Sequence, residues 1–385
     1  MRVPEVVKQG KDNGEGMIVR SETTRGTAIF GLAIPNVYSH ADWDLGPTWC
    51  YVIVNKHITL IDTGRRGNYD LFSSLLDSID LHLRDLDRIV ITHSHEDHDG
   101  NLAEIMHSTG ATLCAHPIYP SMISYYPDIH DGALYPDRPG SCRLCEMPDK
   151  FARQCLTYQE QRSLLDVDCL IEDNASFEED NLYFIHTPGH TPDSLCIVLE
   201  DEALFTGDSL LPDITPHPSL AHAFEANVRI LPKDYRRQNS VYGLMKYIES
   251  LNRIAFLPHQ PFDATFTAHR LFYDGRFNLI HTPPDRAKEI IQFHRDRCRS
   301  IVEIAQDKDC TLKEIAKRHF PPSLLKGGGE SMAVRELRAH TEILEDCGDI
   351  QWAGPNKDQV HVTGTTHFMD QLEAYLQSDM TRAHP

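Results

Sequence analysis

Short apolar runs alternate with amphipathic stretches along the first two thirds of the chain. Residues 50–54 and Ile58–Ile61 flank a polar Asn-Lys-His turn, which predicts a β-hairpin. Core-spaced leucines predict helices at 68–78 and 241–251. Further apolar, mostly β-branched runs predict strands at 88–92, 112–115, 182–185, 195–199, 203–205 and 254–257. Strands interleaved with helices, each followed by a polar loop, indicate a layered sandwich of sheet and helix with its site at the strand ends.

Two segments depart from this rhythm. Residues 117–180 are rich in proline, carry four clustered cysteines and show little periodicity, which predicts a long insertion. After Pro283-Pro284 the pattern predicts helices at 286–306, 311–317 and 331–347, followed by a hairpin at 350–363. This order is typical of a winged helix-turn-helix. We therefore expect one domain over residues 1–281 and a winged-helix-like domain over 282–385.

Composition limits the class of protein. The 385-residue chain has a formal net charge of −20, which argues against a surface built throughout for nucleic acid or anionic lipid. No apolar run is long enough to span a membrane and the amino terminus lacks a signal-peptide core, so we expect a soluble cytoplasmic protein. Ten cysteines are too few for a disulfide scaffold, whereas 22 histidines prompt a search for metal-ligand spacing.

The segment Thr92-His-Ser-His-Glu-Asp-His98 follows a predicted strand directly. In an extended chain His93 and His95 point the same way, and the following turn lets Asp97 and His98 reach a second position nearby. Other metal-capable side chains also leave apolar strands, namely Asp62, His190, Asp208 and His259. Their joint occurrence favours a metal centre over a set of unrelated turn residues.

The order of these residues resembles the five motifs of the metallo-β-lactamase superfamily, over about residues 30–275. The resemblance is greatest to glyoxalase II-like hydrolases, which have an aspartate at the position of Asp208, with a tail similar to the winged-helix extension of some members. It implies an α+β fold, an αββα metallo-β-lactamase sandwich with a small C-terminal helical or winged-helix domain.

The resemblance also implies the roles of the site residues. His93, His95 and His190 would hold one divalent metal ion, Asp97, His98 and His259 a second, with Asp208 bridging them. Asp62 would accept a hydrogen bond from a ligand or a metal-bound water and orient it. We expect zinc first, with iron or manganese as alternatives, and a bridging hydroxide as the nucleophile, with Asp97 helping to steer it.

The four clustered cysteines form a separate candidate site. Cys142 and Cys145 are a Cys-x-x-Cys pair, followed by Cys155 and Cys169. Four thiolates suit a structural zinc ion, but the later spacing is irregular, and a redox pair or unliganded thiols stay as alternatives.

The first functional hypothesis is a dinuclear hydrolase of a small-molecule thioester, ester or lactone. Alternatives are a metal-dependent ribonuclease or phosphodiesterase, a mononuclear-iron persulfide dioxygenase-like enzyme and a winged-helix regulator. Nucleic acid is a less favoured partner, and a homodimer is an alternative to a monomer. We expect specificity from loops at 38–44, 117–180 and 212–229, with His217, His222 and Arg229 as candidate substrate contacts.

Overall fold

The computed structural model describes residues 3–36, 44–124, 156–237, 241–258, 262–326 and 328–378. Two β-sheets face each other across a shared hydrophobic layer. Ile53 and Val90 of the first sheet pack there in one cluster with Phe184, Ile197 and Phe205 of the second. This layer is the central core of the predicted sandwich.

The first sheet has eight strands in chain order, and it changes from antiparallel pairing to parallel pairing at the fifth strand. The strands are β1 (Glu5–Lys8), β2 (Ile18–Glu22), β3 (Ala28–Ile34), β4 (Thr48–Val54), β5 (Ile58–Ile61), β6 (Arg88–Ile91), β7 (Thr112–Ala115) and β8 (Cys169–Leu170). The predicted hairpin is confirmed as β4 and β5, which pair from Val54 opposite Ile58 to Tyr51 opposite Ile61.

The second sheet has five strands in the order β13-β12-β11-β10-β9. They are β9 (Ser176–Phe177), β10 (Leu182–His186), β11 (Leu195–Leu199), β12 (Ala203–Phe205) and β13 (Ala264–Phe266). A two-stranded ribbon, β14 (Phe272–Tyr273) with β15 (Arg276–Phe277), follows.

Helices cover the outer faces of both sheets. The first sheet packs against α1 (Tyr69–Asp77) and α3 (Leu102–Ser108), the second against α7 (Leu244–Ala255). Shorter helices lie in the connections: α2 (Glu96–Asp99), α4 (Tyr119–Ile123), α5 (Leu156–Arg162) and α6 (Ala223–Asn227), with 3₁₀ turns at Leu83–Asp85, Glu178–Asp180 and Lys233–Tyr235. The expected αββα arrangement of layers is therefore confirmed.

The prediction of a strand at 254–257 is wrong. Ile254 lies in the last turn of α7, on the buried face that also carries Tyr247 and Leu251. A four-residue apolar run does not distinguish the end of an amphipathic helix from a strand. The last strand of the second sheet is β13, which pairs parallel with β12.

The predicted insertion at 117–180 is described only at its two ends, because residues 125–155 lie outside the described residues. Its first residues form α4, and residues from 156 onward form α5 and the strands β8 and β9, one in each sheet. Strands of two residues are too short to show alternation, so the pattern could not reveal them.

The remaining residues form helices and a small sheet. They comprise α8 (Pro283–Ala305), β16 (Cys310–Thr311), α9 (Leu312–His319), α10 (Gly329–Asp346), β17 (Ile350–Ala353), β18 (Gln359–Val362) and α11 (His367–Ser378). The predicted capping box is present: Thr311 Oγ1 accepts from the Glu314 amide, and the Glu314 carboxylate accepts from the Thr311 amide. The three strands pair antiparallel in the order β16-β18-β17.

One hydrophobic cluster crosses the predicted domain boundary at residue 281. It joins Leu204 of the second sheet and Ile248 of α7 to Ile290 of α8 and Leu337 of α10. The C-terminal region is thus packed onto the outer face of the sandwich. Among the described helices, none combines the length and apolarity needed to cross a membrane.

Candidate metal centre

The predicted ligands come together where the strands of both sheets end. Asp62 follows β5, His93 and His95 follow β6, His190 follows β10 and Asp208 follows β12. The loop after β6 becomes the single-turn helix α2, which carries Asp97 and His98.

The first group consists of His93, His95, His190 and Asp208, whose candidate ligand atoms all lie within 4.8 Å of one another. His95 Nδ1 lies 3.1 Å from both His93 Nε2 and His190 Nε2. Asp208 Oδ2 lies 3.5 Å from His190 Nε2. Three imidazole nitrogens and a carboxylate oxygen therefore converge as they do around a tetrahedral metal ion.

The second group consists of Asp97, His98 and His269, with the same 4.8 Å limit. His269 Nε2 lies 3.3 Å from Asp97 Oδ2. Asp208 Oδ1 lies 3.4 Å from His269 Nε2 and 3.5 Å from His98 Nε2. The two oxygens of Asp208 thus face the two groups separately.

Sequence reasoning missed His269. His259, to which it assigned this position, lies outside the described residues, and His269 occupies the place beside Asp97 and His98. His269 lies three residues beyond β13, in the loop after Phe266, and this strand was not predicted from the sequence pattern. The run Ala264–Phe266, which ends just before Thr267-Ala268-His269, was the available signal.

Hydrogen bonds orient the rings of His98, His190 and His269 so that Nε2 faces the site. Asp62 Oδ2 accepts from His98 Nδ1 at 2.7 Å and is itself held by the Thr92 hydroxyl at 2.8 Å. The main-chain carbonyl of His217 accepts from His190 Nδ1 at 2.7 Å, and that of Pro47 accepts from His269 Nδ1 at 3.3 Å. Such partners select the tautomer whose other nitrogen is free to bind a metal.

Gly189 allows His190 to reach the site. It has a positive φ of 127°, and a Cβ placed on it would lie 2.3 Å from the Cα of Tyr247 in α7. A side chain at this position would collide with helix backbone, so the loop carrying His190 can approach α7 this closely only with glycine.

Burial and the neighbouring charges shift the pKa values of the histidines in the two groups in opposite directions. Burial lowers the pKa of His95 to about 3 and that of His93 well below its ordinary value. Burial acts in the same direction on His269, but the carboxylates of Asp208 and Asp97 outweigh it and raise its pKa to about 9. Burial alone would raise the pKa of Asp208, yet the charges of His269 and His98 hold it well below the usual range.

Buried polar atoms without hydrogen bonds indicate that these residues are suited to bind metal ions. His98 Nε2, His269 Nε2 and Asp208 Oδ1 are buried and make no hydrogen bond within the described part of the chain. Unsatisfied buried polar atoms are costly unless they are used, and three of them meeting at one point are poorly explained by packing. Imidazole and carboxylate ligands suit zinc, iron or manganese.

A cavity of about 240 Å³ opens beside these ligands. Asp97, His95, His190 and Asp208 line one side, and apolar residues of the 211–218 loop line another. A further part of the lining comes from α8 and α10 of the C-terminal region, namely Phe293, His294, Met332, Arg335 and Glu336. The C-terminal region therefore helps to shape the pocket.

Three further predicted contacts can be located. His217 lines the cavity. His222 lies outside the lining and its Nδ1 hydrogen-bonds to the Glu342 carboxylate instead. Arg229 is also absent from the lining, and its carbonyl accepts from Arg236.

The cysteine cluster is only partly described. Cys142, Cys145 and Cys155 lie outside the described residues. Cys169 lies in β8 opposite Cys114 of β7, and both are free thiols.

Comparison with known proteins agrees with the site. The sequence profile of the metallo-beta-lactamase superfamily matches residues 43–269, which is more than half of the chain and ends at His269. The chain belongs to the metallo-β-lactamase superfamily. Members of this superfamily are hydrolytic enzymes, and the fold implies divalent metal ions.

Curated relatives are similar over part of the chain. An atrochrysone carboxyl ACP thioesterase of Aspergillus fumigatus is 26% identical over 163 residues, which are 42% of this chain and 29% of that protein. One from Passalora fulva is 26% identical over 166 residues, 42% of this chain and 37% of that protein. The match thus spans about a third of the length of these relatives.

Solved structures are similar over most of the chain. A metallo-beta-lactamase family protein from Thermus thermophilus has a TM-score of 0.60 at 21% identity, covering 87% of this chain and 98% of its own. A beta-lactamase domain protein from Burkholderia ambifaria has a TM-score of 0.62 at 19% identity, covering 90% and 94%. At these identities the similarity shows that the fold is shared, and nothing beyond the fold.

Proposed function

We propose that this enzyme is a dinuclear metal-dependent hydrolase that cleaves a small-molecule thioester, ester or lactone. The observation that carries the proposal is the position of Asp208, whose Oδ2 faces the first ligand group and whose Oδ1 faces the second. A carboxylate in this position suits a bridge between two cations.

His93, His95, His190 and Asp208 would hold one ion, and Asp97, His98, His269 and Asp208 the other. When bound, two such ions polarise a carbonyl oxygen and lower the pKa of a coordinated water towards about 7. Asp62 holds His98 with Nε2 towards the site, and Asp97, which lines the cavity, would accept a hydrogen bond from the attacking water.

A thioester is our first expectation for the substrate. The named thioesterases among the relatives support it, although their match to this chain covers less than half of either protein. The apolar loop at 211–218 and the side chains of Phe293 and Met332 favour an acyl group with apolar surface in the cavity.

We further propose that residues 282–385 are a winged-helix-like domain with a role in this pocket. The succession α8, β16, α9, α10, β17 and β18 supports the first part, and the cavity wall formed by α8 and α10 supports the second.

Metal analysis combined with a substrate panel tests the proposal. The purified protein, loaded with zinc, iron or manganese in turn, is expected to bind two equivalents and to hydrolyse thioesters faster than the metal-free protein. Asp208→Asn is expected to lose both ions. A protein that binds one ion, or two ions without any esterase, lactonase or thioesterase activity, would contradict the proposal.

A further inference from the structure

The C-terminal wall of the cavity contains a chain of buried hydrogen bonds that determines one histidine tautomer. The main-chain carbonyl of Glu336 can only accept, so the His340 Nδ1 beside it, at 2.6 Å, must carry a hydrogen. In the neutral ring His340 Nε2 is then an acceptor, and His294 Nδ1, 2.9 Å away, donates to it. His294 therefore presents an unprotonated Nε2 on the far side of its ring.

This nitrogen has no hydrogen-bond partner within the described ranges. His294 is 1% exposed, lines the cavity and packs edge-on against the rings of Tyr247 and Phe293. Burial also holds the pKa of His294 well below its ordinary value, in agreement with a neutral ring. A buried acceptor without a partner, on a residue that lines a cavity, is costly unless a ligand completes it.

His217, which also lines the cavity, has the same arrangement. The main-chain carbonyl of Pro218, at 2.6 Å, accepts from His217 Nδ1, so Nε2 is again the unprotonated nitrogen. His217 Nε2 is buried and has no hydrogen-bond partner among the residues described. Because the His217 carbonyl also anchors His190, this second acceptor lies next to the first ligand group.

We propose that His294 and His217 each accept, at Nε2, a hydrogen bond from a hydroxyl group on the acyl part of the substrate, so that each histidine binds one hydroxyl. Two neutral acceptors select a hydrogen-bond donor and offer nothing to an anion such as a phosphate or a second carboxylate. The guanidinium group of Arg335, which lines the cavity, and that of Arg297, whose charge acts on His294, disfavour an ammonium donor. This inference rests on the proposed hydrolase function and specifies its substrate class as hydroxylated acyl esters or thioesters.

The test compares a thioester of phenylacetic acid with its ortho-, meta- and para-hydroxylated counterparts. Each is made with N-acetylcysteamine, which contains an amide N–H, and with ethanethiol, which contains none. The variants are His294→Asn and His217→Asn, because an asparagine amide nitrogen can replace Nδ1 as donor but leaves no acceptor at the place of Nε2. His361→Asn, at an exposed histidine of β18 outside the cavity lining, is the matched control.

We expect the zinc-loaded wild type to prefer at least one hydroxylated substrate in kcat/KM. The variant that removes the acceptor for that hydroxyl, His294→Asn or His217→Asn, should reduce the preference roughly tenfold. His361→Asn should keep the wild-type ratio. A loss confined to the N-acetylcysteamine series would show that the histidines bind the amide, and an equal loss for all substrates would show a merely structural role. Either result overturns the proposal.

Binding of the free acids separates this inference from the proposed function. Calorimetric titration of the zinc-loaded protein with hydroxyphenylacetic and phenylacetic acids should show the same preference and the same loss in the variants. If no thioester is hydrolysed but the binding preference is found, the proposed function fails and the hydroxyl site stands. If hydrolysis occurs without any preference in rate or binding, the hydroxyl site fails and the hydrolase stands.

Discussion

At the scale of single residues, the site depends on which histidine completes the second ligand group. His269 is fully buried and its Nε2 contacts both Asp97 and Asp208. The distance along the chain from His98 says nothing about this, because residues of two different sheets meet at the site.

We expect His269→Ala to bind one equivalent of metal fewer than the wild type, because the second position loses one of its two imidazole ligands. Elemental analysis after gel filtration measures this. The metal content of His259→Ala is measured in the same way for comparison and should equal that of the wild type. A lost equivalent in His259→Ala and none in His269→Ala would restore the assignment made from sequence.

Asp62 gives a second prediction at this scale. Asp62→Asn should weaken the second metal position by about 10–100-fold, because an amide group facing His98 Nδ1 no longer selects the tautomer with a free Nε2. Competition with a chelator measures the affinity. Asp80→Asn is a matched control, since Asp80 is exposed and has a φ of 57°, close to the 59° of Asp62. Equal affinities for Asp62→Asn and the wild type would contradict the prediction.

At the scale of elements, α5 supports the loop that carries the first two histidines. Arg162 Nη1 donates to the Ser94 carbonyl at 2.9 Å and pairs with Asp99 at 3.0 Å. Tyr119 also donates to Asp99, at 2.8 Å. Because Ser94 lies between His93 and His95, this network connects α5 directly to the metal-binding loop.

Arg162→Met should lower the free energy of unfolding by roughly 3–5 kcal/mol, since it leaves Asp99 buried without its cation. Arg162→Lys keeps the charge and should cost less. Urea denaturation of the metal-free proteins measures both. A midpoint for Arg162→Met equal to that of the wild type would show that the network contributes little to the fold.

At the scale of the whole molecule, the sandwich and the C-terminal region share a core and a cavity. The cluster that contains Ile248 and Leu337 continues across residue 281, and the C-terminal region contains the buried histidines His294 and His340. Stability of this region should therefore depend on pH.

Burial lowers the pKa of His340 to about 3, whereas an unfolded histidine has a value near 6.5. The unfolded chain then binds more protons between these values, so stability is complete above about pH 6.5 and falls as the pH decreases, by about 1.4 kcal/mol per unit for this group. His340→Asn should flatten the fall between roughly pH 6.5 and 4. Urea denaturation of both proteins across this range measures it, and identical slopes would contradict the assignment.

Removal of residues 282–385 should destabilise the sandwich, because it uncovers Leu204, Ile248 and their neighbours. A chain ending at residue 281 is expected to unfold at a lower temperature than the full chain or to precipitate. Thermal unfolding followed by circular dichroism measures this, and an unchanged midpoint would show that the region contributes nothing to the core of the sandwich.

The sequence by itself determined the family, most strands and six of the proposed ligands. Each of these six residues lies in the loop after a strand that the apolar pattern of the sequence predicts. His93, His95, Asp97 and His98 in particular lie in one short segment. Only the tertiary structure decided the choice of His269, the place of α5 beside Ser94 and the cavity wall formed by α8 and α10. These depend on contacts between segments that are far apart in the chain, and on strands too short for their periodicity to be read.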